Sequence, residues 1–320
     1  MLQIGLIGIG AGAAAALLFA TVASGSVLSI VLFYLAPLPI LIAAIGWSHW
    51  AALVAALTAA VLLALFLAPF FLIAFMIGVG LPAWWLGYLA LLARTQDDGS
   101  VEWYPAGRLA VWAAVLAAAV VIAAIANFGF DEESFRSGLR ASFERILRAQ
   151  TRTPADTPLE IRGMDAKNVV NVLVALIPLA AAVLATITNS ANLWLAGRIV
   201  RISGRLRRPW PDLPAMQFPP LTSAVLAAAL AASFLSGLIG TIGSILSAAL
   251  LMAFGLLGLA VVHALTRGRD ARGLILGAVY AAVLVFGWPI LFFALLGIAE
   301  SAFALRARYA APGTPPQRIQ

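Results

Sequence analysis

Cysteine is absent from this 320-residue chain, which excludes disulfides, thiolate metal sites and a cysteine nucleophile. Lysine is nearly absent, with Lys167 alone, so the net charge of +7 is carried almost wholly by arginine. Charge of either sign is scarce. Charged residues make up 10% of the chain, against roughly 25% in a soluble domain, too few for an ordinary water-facing surface. None occurs from Met1 to Ala93, and further charge-free runs cover Leu109–Phe130, Asn168–Gly197, Leu213–Thr266 and Gly273–Ala299. Each is at least as long as the roughly 20 apolar residues that cross a bilayer core. The N-terminal run has no basic leader and stays apolar past any cleavage site, so it reads as a first span and not as a secretory signal.

These runs predict an all-α fold, a polytopic integral membrane helical bundle of about nine transmembrane helices (range eight to ten) in one transmembrane domain, residues 1–320. As continuous helix the first run would measure about 140 Å at ~1.5 Å per residue, enough for about four crossings of a ~30 Å core. Turn signals at Ser24–Ser26, Gly46–Trp50 and Ala68-Pro69 divide it into Ile4–Ala23, Leu28–Gly46, Ala51–Leu67 and Phe71–Leu92. A polar loop, Arg94–Arg108, precedes Leu109–Ala126, and Val169–Ala196 is the sixth span. Leu221–Leu265 reads as two spans hinged around Gly237, Gly240 and Gly243, and Leu274–Ala299 as the ninth. Residues near 310–320 read as a disordered tail.

The connection Asn127–Lys167 contains a helical pattern. Phe135, Leu139, Phe143, Ile146 and Leu147 share one face, with Asp131, Glu132 and Glu133 at the start and Arg145 and Arg148 at the end. That polarity suits the helix dipole. An amphipathic interfacial helix is expected near residues 131–150, with a helix capping the bundle from outside as the alternative. The stretch TRTPADTPLE after it reads as an irregular linker.

Arginines set the orientation. Arg198, Arg201, Arg205, Arg207 and Arg208 follow the sixth span, and Arg267, Arg269 and Arg272 follow a two-span hairpin later, so the two clusters share a side. The positive-inside rule makes that side cytoplasmic, although a single ninth span would put Arg306 and Arg308 on the other. Contact with anionic lipid, and not with nucleic acid, is what positive charge on such a chain reports. The Arg- and Ala-rich, Lys-poor composition points to a GC-rich bacterial genome, and the expected location is a bacterial cytoplasmic (inner) membrane.

Polar groups within spans are the candidate functional residues. Pro37 and Pro39 interrupt the second span and deprive the Phe33 and Leu35 carbonyls of helical donors. Such broken helices line binding sites in transporters, or are kinks that neighbouring helices satisfy. Thr188, Asn189 and Asn192, with Thr186 and Ser190, form the densest polar cluster, and could recognise a polar solute or serve as interhelical glue. The substrate-binding candidates are therefore Pro37, Pro39, Thr188, Asn189 and Asn192. His49 lies between Trp47 and Trp50, as in an aromatic belt, and His263 lies near a span end. Neither has the company of a metal set. Glu300 has no base three or four positions away, so it reads as hydrated and unpaired on its own helix. Gly8, Gly12, Ala16 and Ala20 give the first helix a groove of small residues, suited to internal packing or to a partner. No catalytic, metal or nucleotide-binding motif accompanies these residues, so no enzyme activity and no cofactor are expected.

The stretches YLAPLPILIAAIGWSHW and NLWLAGRIVRISGRLRRPWPDLPAM resemble the YybS-like predicted membrane proteins, a bacterial family of unknown function. The likeness lies in a Pro-x-Pro second span with a Gly-Trp turn and an Arg-rich exit from a later span. It implies a distant similarity to the substrate-binding subunits of energy-coupling-factor transporters and to the rod-shape membrane protein of the cell-wall machinery. The expected function is a small-solute transport component needing a separate energising partner. The alternative is a non-transporting scaffold for envelope proteins.

Overall fold

The computed structural model describes residues 2–125, 132–151, 160–161 and 164–309. The tail near 310–320 and most of the TRTPADTPLE linker lie outside the described residues. Fourteen helices form in order among the described residues: α1 Leu2–Ala20, α2 Val27–Tyr34, α3 Pro37–Gly46, α4 His49–Phe66, α5 Phe70–Phe75, α6 Leu81–Ala90, α7 Ala106–Ile125, α8 Glu132–Thr151, α9 Ala166–Ile202, α10 Leu221–Ser233, α11 Gly237–Leu265, α12 Arg272–Phe286, α13 Ile290–Phe303 and α14 Leu305–Tyr309. The fold is all-α. Two antiparallel ribbons are its β structure among the described residues, β1 Ala93–Thr95 with β2 Val101–Trp103, and β3 Glu160–Ile161 with β4 Met164–Asp165.

Seven stretches are helical, long and apolar enough to cross a membrane: Leu2–Ser24, Val27–Gly46, His49–Phe66, Phe70–Ala90, Ala106–Ile125, Val169–Ile202 and Gly237–Leu265. The helices α10, α12 and α13 are apolar but have only 13, 15 and 14 residues. At ~1.5 Å per residue each measures about 20 Å, less than a ~30 Å core.

The chain divides into two compact units. One comprises Met1–Ala113, Ile187–Ser223 and Leu251–Gln320, the other Ala114–Thr186 and Ala224–Leu250. In the first, α1 lies against α4 through its small residues. A Cβ added at Gly8 would stand 2.6 Å from the Val54 side chain, and one at Gly12 2.7 Å from Thr58 Cβ. Apolar surface gains nothing by leaving lipid, so close backbone approach is what attracts one membrane helix to another. The glycine groove of α1 is thus filled from within. Ile40, Leu41, Phe75 and Leu86 are fully buried in the core of α3 to α6.

The second span breaks at the prolines as expected, but its carbonyls find donors. Ala36 N–H donates to Phe33 O at 3.1 Å and Leu38 N–H to Leu35 O at 2.9 Å. Tighter i→i+3 turns carry the chain across the break.

In the second unit, α8 buries Phe135 while Ile146, further along, is half exposed. Arg140 Nη2 donates to Asn171 Oδ1 of α9 at 2.7 Å. The turn between α10 and α11 falls at Phe234–Ser236, just before the three glycines. Gly240 and Gly243 lie in the first turns of α11, close to the backbone of Leu235 and Ser233.

Leu274–Ala299 is not one span. The chain leaves α12 at Gly287, whose φ of 72° suits a residue without Cβ, and Pro289 then starts α13. Both ends of this pair return to one segment. Arg267 bonds Asp212 at 2.8 Å, while Arg306 donates to the carbonyls of Pro214 and Met216. A single crossing would have carried Arg306 to the opposite end. Instead Arg306 and Arg308 join the end where Arg205 lies over Trp47, 4.3 Å from the ring centroid, and Arg208 reaches Ala90 and Tyr104. Single cysteines placed at Ser203 and Ala307 of this cysteine-free chain should therefore react with an impermeant maleimide from the same side of the membrane. Labelling from opposite sides would contradict the returning α12–α13 pair.

Candidate functional site

The polar face of α9 and the break in the second span meet. Asn192, 2% exposed, donates from Nδ2 to Tyr34 O at 2.8 Å and to Thr188 O at 2.9 Å. Pro37 is buried at the first turn of α3 and Pro39 half-buried. Asn189 Nδ2 donates to Ala113 O at 3.2 Å, and Thr186 Oγ1 to Ala182 O of its own helix at 2.8 Å. The amide donors are thus committed to main-chain carbonyls, as expected where each unpaired group in hydrocarbon is costly. Asn192 Oδ1 has no partner among the described residues.

An open volume lies against the adjoining face of α9. It measures about 550 Å³, in the range of sites for drug-sized ligands. Ile187, Ser190, Ala191 and Trp194 line it, at the i, i+3, i+4, i+7 spacing of one helix face. Pro37, Pro39, Thr188, Asn189 and Asn192 do not. The other walls come from α7 (Leu109, Ala110, Ala113), the segment Leu206–Met216, α11 (Leu256, Leu259, Ala260) and Tyr280 of α12. Among the described residues the ionisable ones in the lining are Arg208, His263 and Tyr280, and no acid contributes. His263 Nε2 and Tyr280 Oη are 2.9 Å apart, which ties α12 to α11 across one wall.

Arg208 is the exceptional residue. Its Nη1 and Nη2 donate to Ala90 O and Tyr104 O, each at 3.1 Å. Its Nε is buried and has no partner among the described residues. Burial lowers the affinity of the guanidinium for its proton, yet arginine keeps its charge in proteins, so the cation stays here facing neutral carbonyls. Ser190 Oγ is likewise buried and unpartnered among the described residues. Around the Arg208 end, Arg198 and Arg201 lie 5.9 and 5.2 Å from the Trp210 ring centroid, within cation–π reach.

Sequence reasoning placed Arg208 among charges that orient the chain, and a count of arginines cannot separate one in water from one turned inward. Its neighbours carried a signal. Pro209 and Pro211 flank Trp210 and stiffen the chain just where it bends back.

A second recess, about 350 Å³, holds Asp212, Arg267, Glu300 and Arg306. Glu300 is not hydrated but 7% exposed, and it has a partner. Arg306 Nε stands 2.9 Å from its Oε1, and Arg306 N–H donates to its Oε2 at 3.0 Å. The left-handed residue Ala304 (φ 49°) turns α14 back toward α13, which brings a base six residues away onto the acid. Periodicity within one helix cannot foresee that.

His49 packs its ring on Trp50 and Tyr88, with centroids 5.0 and 5.3 Å apart. Among the described residues no three His, Cys, Asp or Glu side chains gather where they could hold a metal ion.

No curated protein and no solved structure matches this chain, so the likeness to substrate-binding transporter subunits finds no counterpart there. One family model does match, over residues 13–301, nearly the full length, with the description "Predicted membrane protein (DUF2232)". This chain, with seven helical stretches long and apolar enough to cross a membrane, therefore belongs to the DUF2232 family of predicted membrane proteins.

Proposed function

We propose that this protein is a small-solute transport component of a bacterial cytoplasmic membrane, binding its solute in the cavity beside Arg208. One observation carries the reading: a volume of about 550 Å³, apolar on nearly every wall, with one inward cation. Pure scaffolding calls for no such space. The groove of small residues on α1, suited to internal packing or to a partner, is occupied by α4. The sequence carries no nucleotide-binding loop, so uphill movement of a solute calls for a separate energising partner.

In this reading the arginine end of the first unit faces the cytoplasm. Twelve arginines gather in its loops and helix ends, from Arg94 and Arg108 to Arg306 and Arg308, against six acids. The returning α12–α13 pair removes Arg306 and Arg308 from the count against this orientation, in which the seven basic residues of Asn127–Lys167, offset by seven acids, remain. The remaining candidates, Pro37, Pro39, Thr188, Asn189 and Asn192, then act behind the cavity by holding α9 against the broken helix.

Ala191→Phe tests the proposal by filling the volume from a wall with room for the ring. Native mass spectrometry of protein from mild detergent should find a bound small molecule on the wild type and none on the variant, with unchanged thermal stability. Equal adducts on both proteins would overturn the cavity as the site. An envelope protein on both, with no small molecule on either, would favour the scaffold.

We also assign α8 to the membrane interface, since its arginines flank an apolar stripe. Phe143→Asp puts a charge inside that stripe and should expose the helix to aqueous hydrogen exchange. Unaltered protection would remove α8 from the interface.

A further inference from the structure

The cavity's charge and its long axis together define a ligand class, an inference that rests on the cavity being a binding site. Along α9 the lining runs from Gly197 down to Ile187, ten residues or about 15 Å. The Gly197 end carries all the positive charge: Arg208 lines the cavity there, and Arg198 and Arg201 stack on Trp210, itself a lining residue. Toward Ile187 the walls become Ala113, Ile187 and Leu256, with no charged group. The volume is therefore polarised as a lipid molecule is, with its polar end at the membrane surface and its apolar end in the hydrocarbon.

Arg208 adds chemical direction. Its terminal nitrogens are held by two neutral carbonyls and its guanidinium lies 6.0 Å from the Trp103 ring centroid, contacts that fix its plane and supply no opposite charge. Among the described residues no acid lines the cavity, and the Asp212 carboxylate in the same loop pairs with Arg267. A cation partly removed from water is stabilised when something of opposite charge meets it. The buried Arg208 Nε and Ser190 Oγ are also without partners among the described residues. We propose that the cavity binds a single-chain anionic amphiphile, its carboxylate or phosphate paired with Arg208 and its chain laid along α9 between α7 and α11. Entry is from the bilayer beside α12, a helix that buries no residue of its own and is tied to α11 by the Tyr280–His263 bond.

Tryptophans within the cavity provide the measurement. The full-length protein in nanodiscs of zwitterionic lipid is titrated with a dibrominated long-chain fatty acid, and separately with the matching dibrominated fatty alcohol. Saturable quenching by the acid is expected, lost when Trp194 and Trp210 are both replaced by phenylalanine. The alcohol should bind at least about tenfold more weakly, the scale of one charge-assisted contact. Arg208→Gln should remove that preference. Because Arg208 also ties Ala90 to Tyr104, Ala110→Phe, which narrows the cavity without touching those bonds, should abolish saturable quenching by itself. Repeating the titration in anionic nanodiscs separates the two sources: competition assigns the anion to a membrane lipid, and none assigns it to a free acid, either result supporting the class. Equal affinity for acid and alcohol, both sensitive to Ala110→Phe, would overturn the anionic class and leave the cavity as a binding site. No saturable quenching by either probe would overturn both.

Discussion

Replacing Arg306 with alanine should destabilise the protein by about 3–5 kcal/mol, the cost of leaving a buried charge unpaired. The Glu300–Arg306 pair has side-chain exposures of 6% and 13%, so the value of about 0–1 kcal/mol for a surface ion pair does not apply. Two further acceptors enlarge the effect. Arg306 donates to the Pro214 and Met216 carbonyls through its two terminal nitrogens, while its backbone N–H to Glu300 is a bond that alanine keeps. Without the guanidinium, loop 212–216 loses its tie to the end of α13. The double variant Glu300→Leu/Arg306→Leu removes the stranded carboxylate and should recover part of the loss, but not the part owed to the two carbonyls. Arg306→Lys should recover little, since an ammonium lacks the planar fork that serves acid and carbonyls together. Thermal unfolding in detergent measures all three. A double variant as unstable as Arg306→Ala would mean that the cost does not come from the charge on Glu300.

The second large effect is expected at Gly258. A Cβ there would fall inside the Phe293 carbonyl group, and one at Gly297 inside the Phe254 carbonyl, so α11 and α13 touch backbone to backbone. Neighbouring Gly255 is also close, its added Cβ 3.1 Å from Ile290. Backbone cannot swing aside as a side chain does, so Gly258→Ala has to part the helices. Overpacking of this kind costs roughly 1–3 kcal/mol, and Gly258→Leu should exceed it. Gly258→Ala and Gly297→Ala press on one contact, so the two together should cost less than their sum. Gly277 of α12 is the control: nothing lies within 4 Å of its added Cβ, and alanine there should stabilise by about 0.5–1 kcal/mol through helix propensity. A Gly258→Ala protein as stable as Gly277→Ala would disprove the close crossing.

Much of the fold was legible because hydrocarbon leaves a chain so few options. Backbone groups in lipid must bond within their own segment, so long charge-free runs become helices whatever their neighbours do. Runs that lacked a polar residue at their break were harder. Gly287-Trp288-Pro289 ends α12, yet glycine and proline also occur inside unbroken spans, so composition gave no reason to cut there. The short α10, α12 and α13 blur the count of crossings for the same reason.

The candidate site was legible only in part. Asn192 and the break before Pro37 were identified as expensive polar groups, and they do meet through the Tyr34 carbonyl. The open volume lies one helix face away, at Ile187, Ser190, Ala191 and Trp194. Apart from Ser190 these are residues that a search for polar groups passes over, because a cavity in a membrane helix bundle is a gap between side chains and leaves no pattern in any one helix.

By itself, then, the sequence determined the solvent of this protein and the secondary structure that solvent imposes, since both follow from local hydrophobicity and from backbone hydrogen bonding within a segment. It also determined which amides inside the spans, such as Asn189 and Asn192, would be costly to leave unpaired. Tertiary structure alone decided who pairs with whom. Arg306 finds Glu300 and Pro214, Arg208 turns inward to Ala90 and Tyr104, and α12 with α13 brings the chain back to the end it left. Those outcomes depend on contacts between residues as much as 118 positions apart, where the free energy lies in the geometry of two surfaces meeting and no property of either residue predicts its partner.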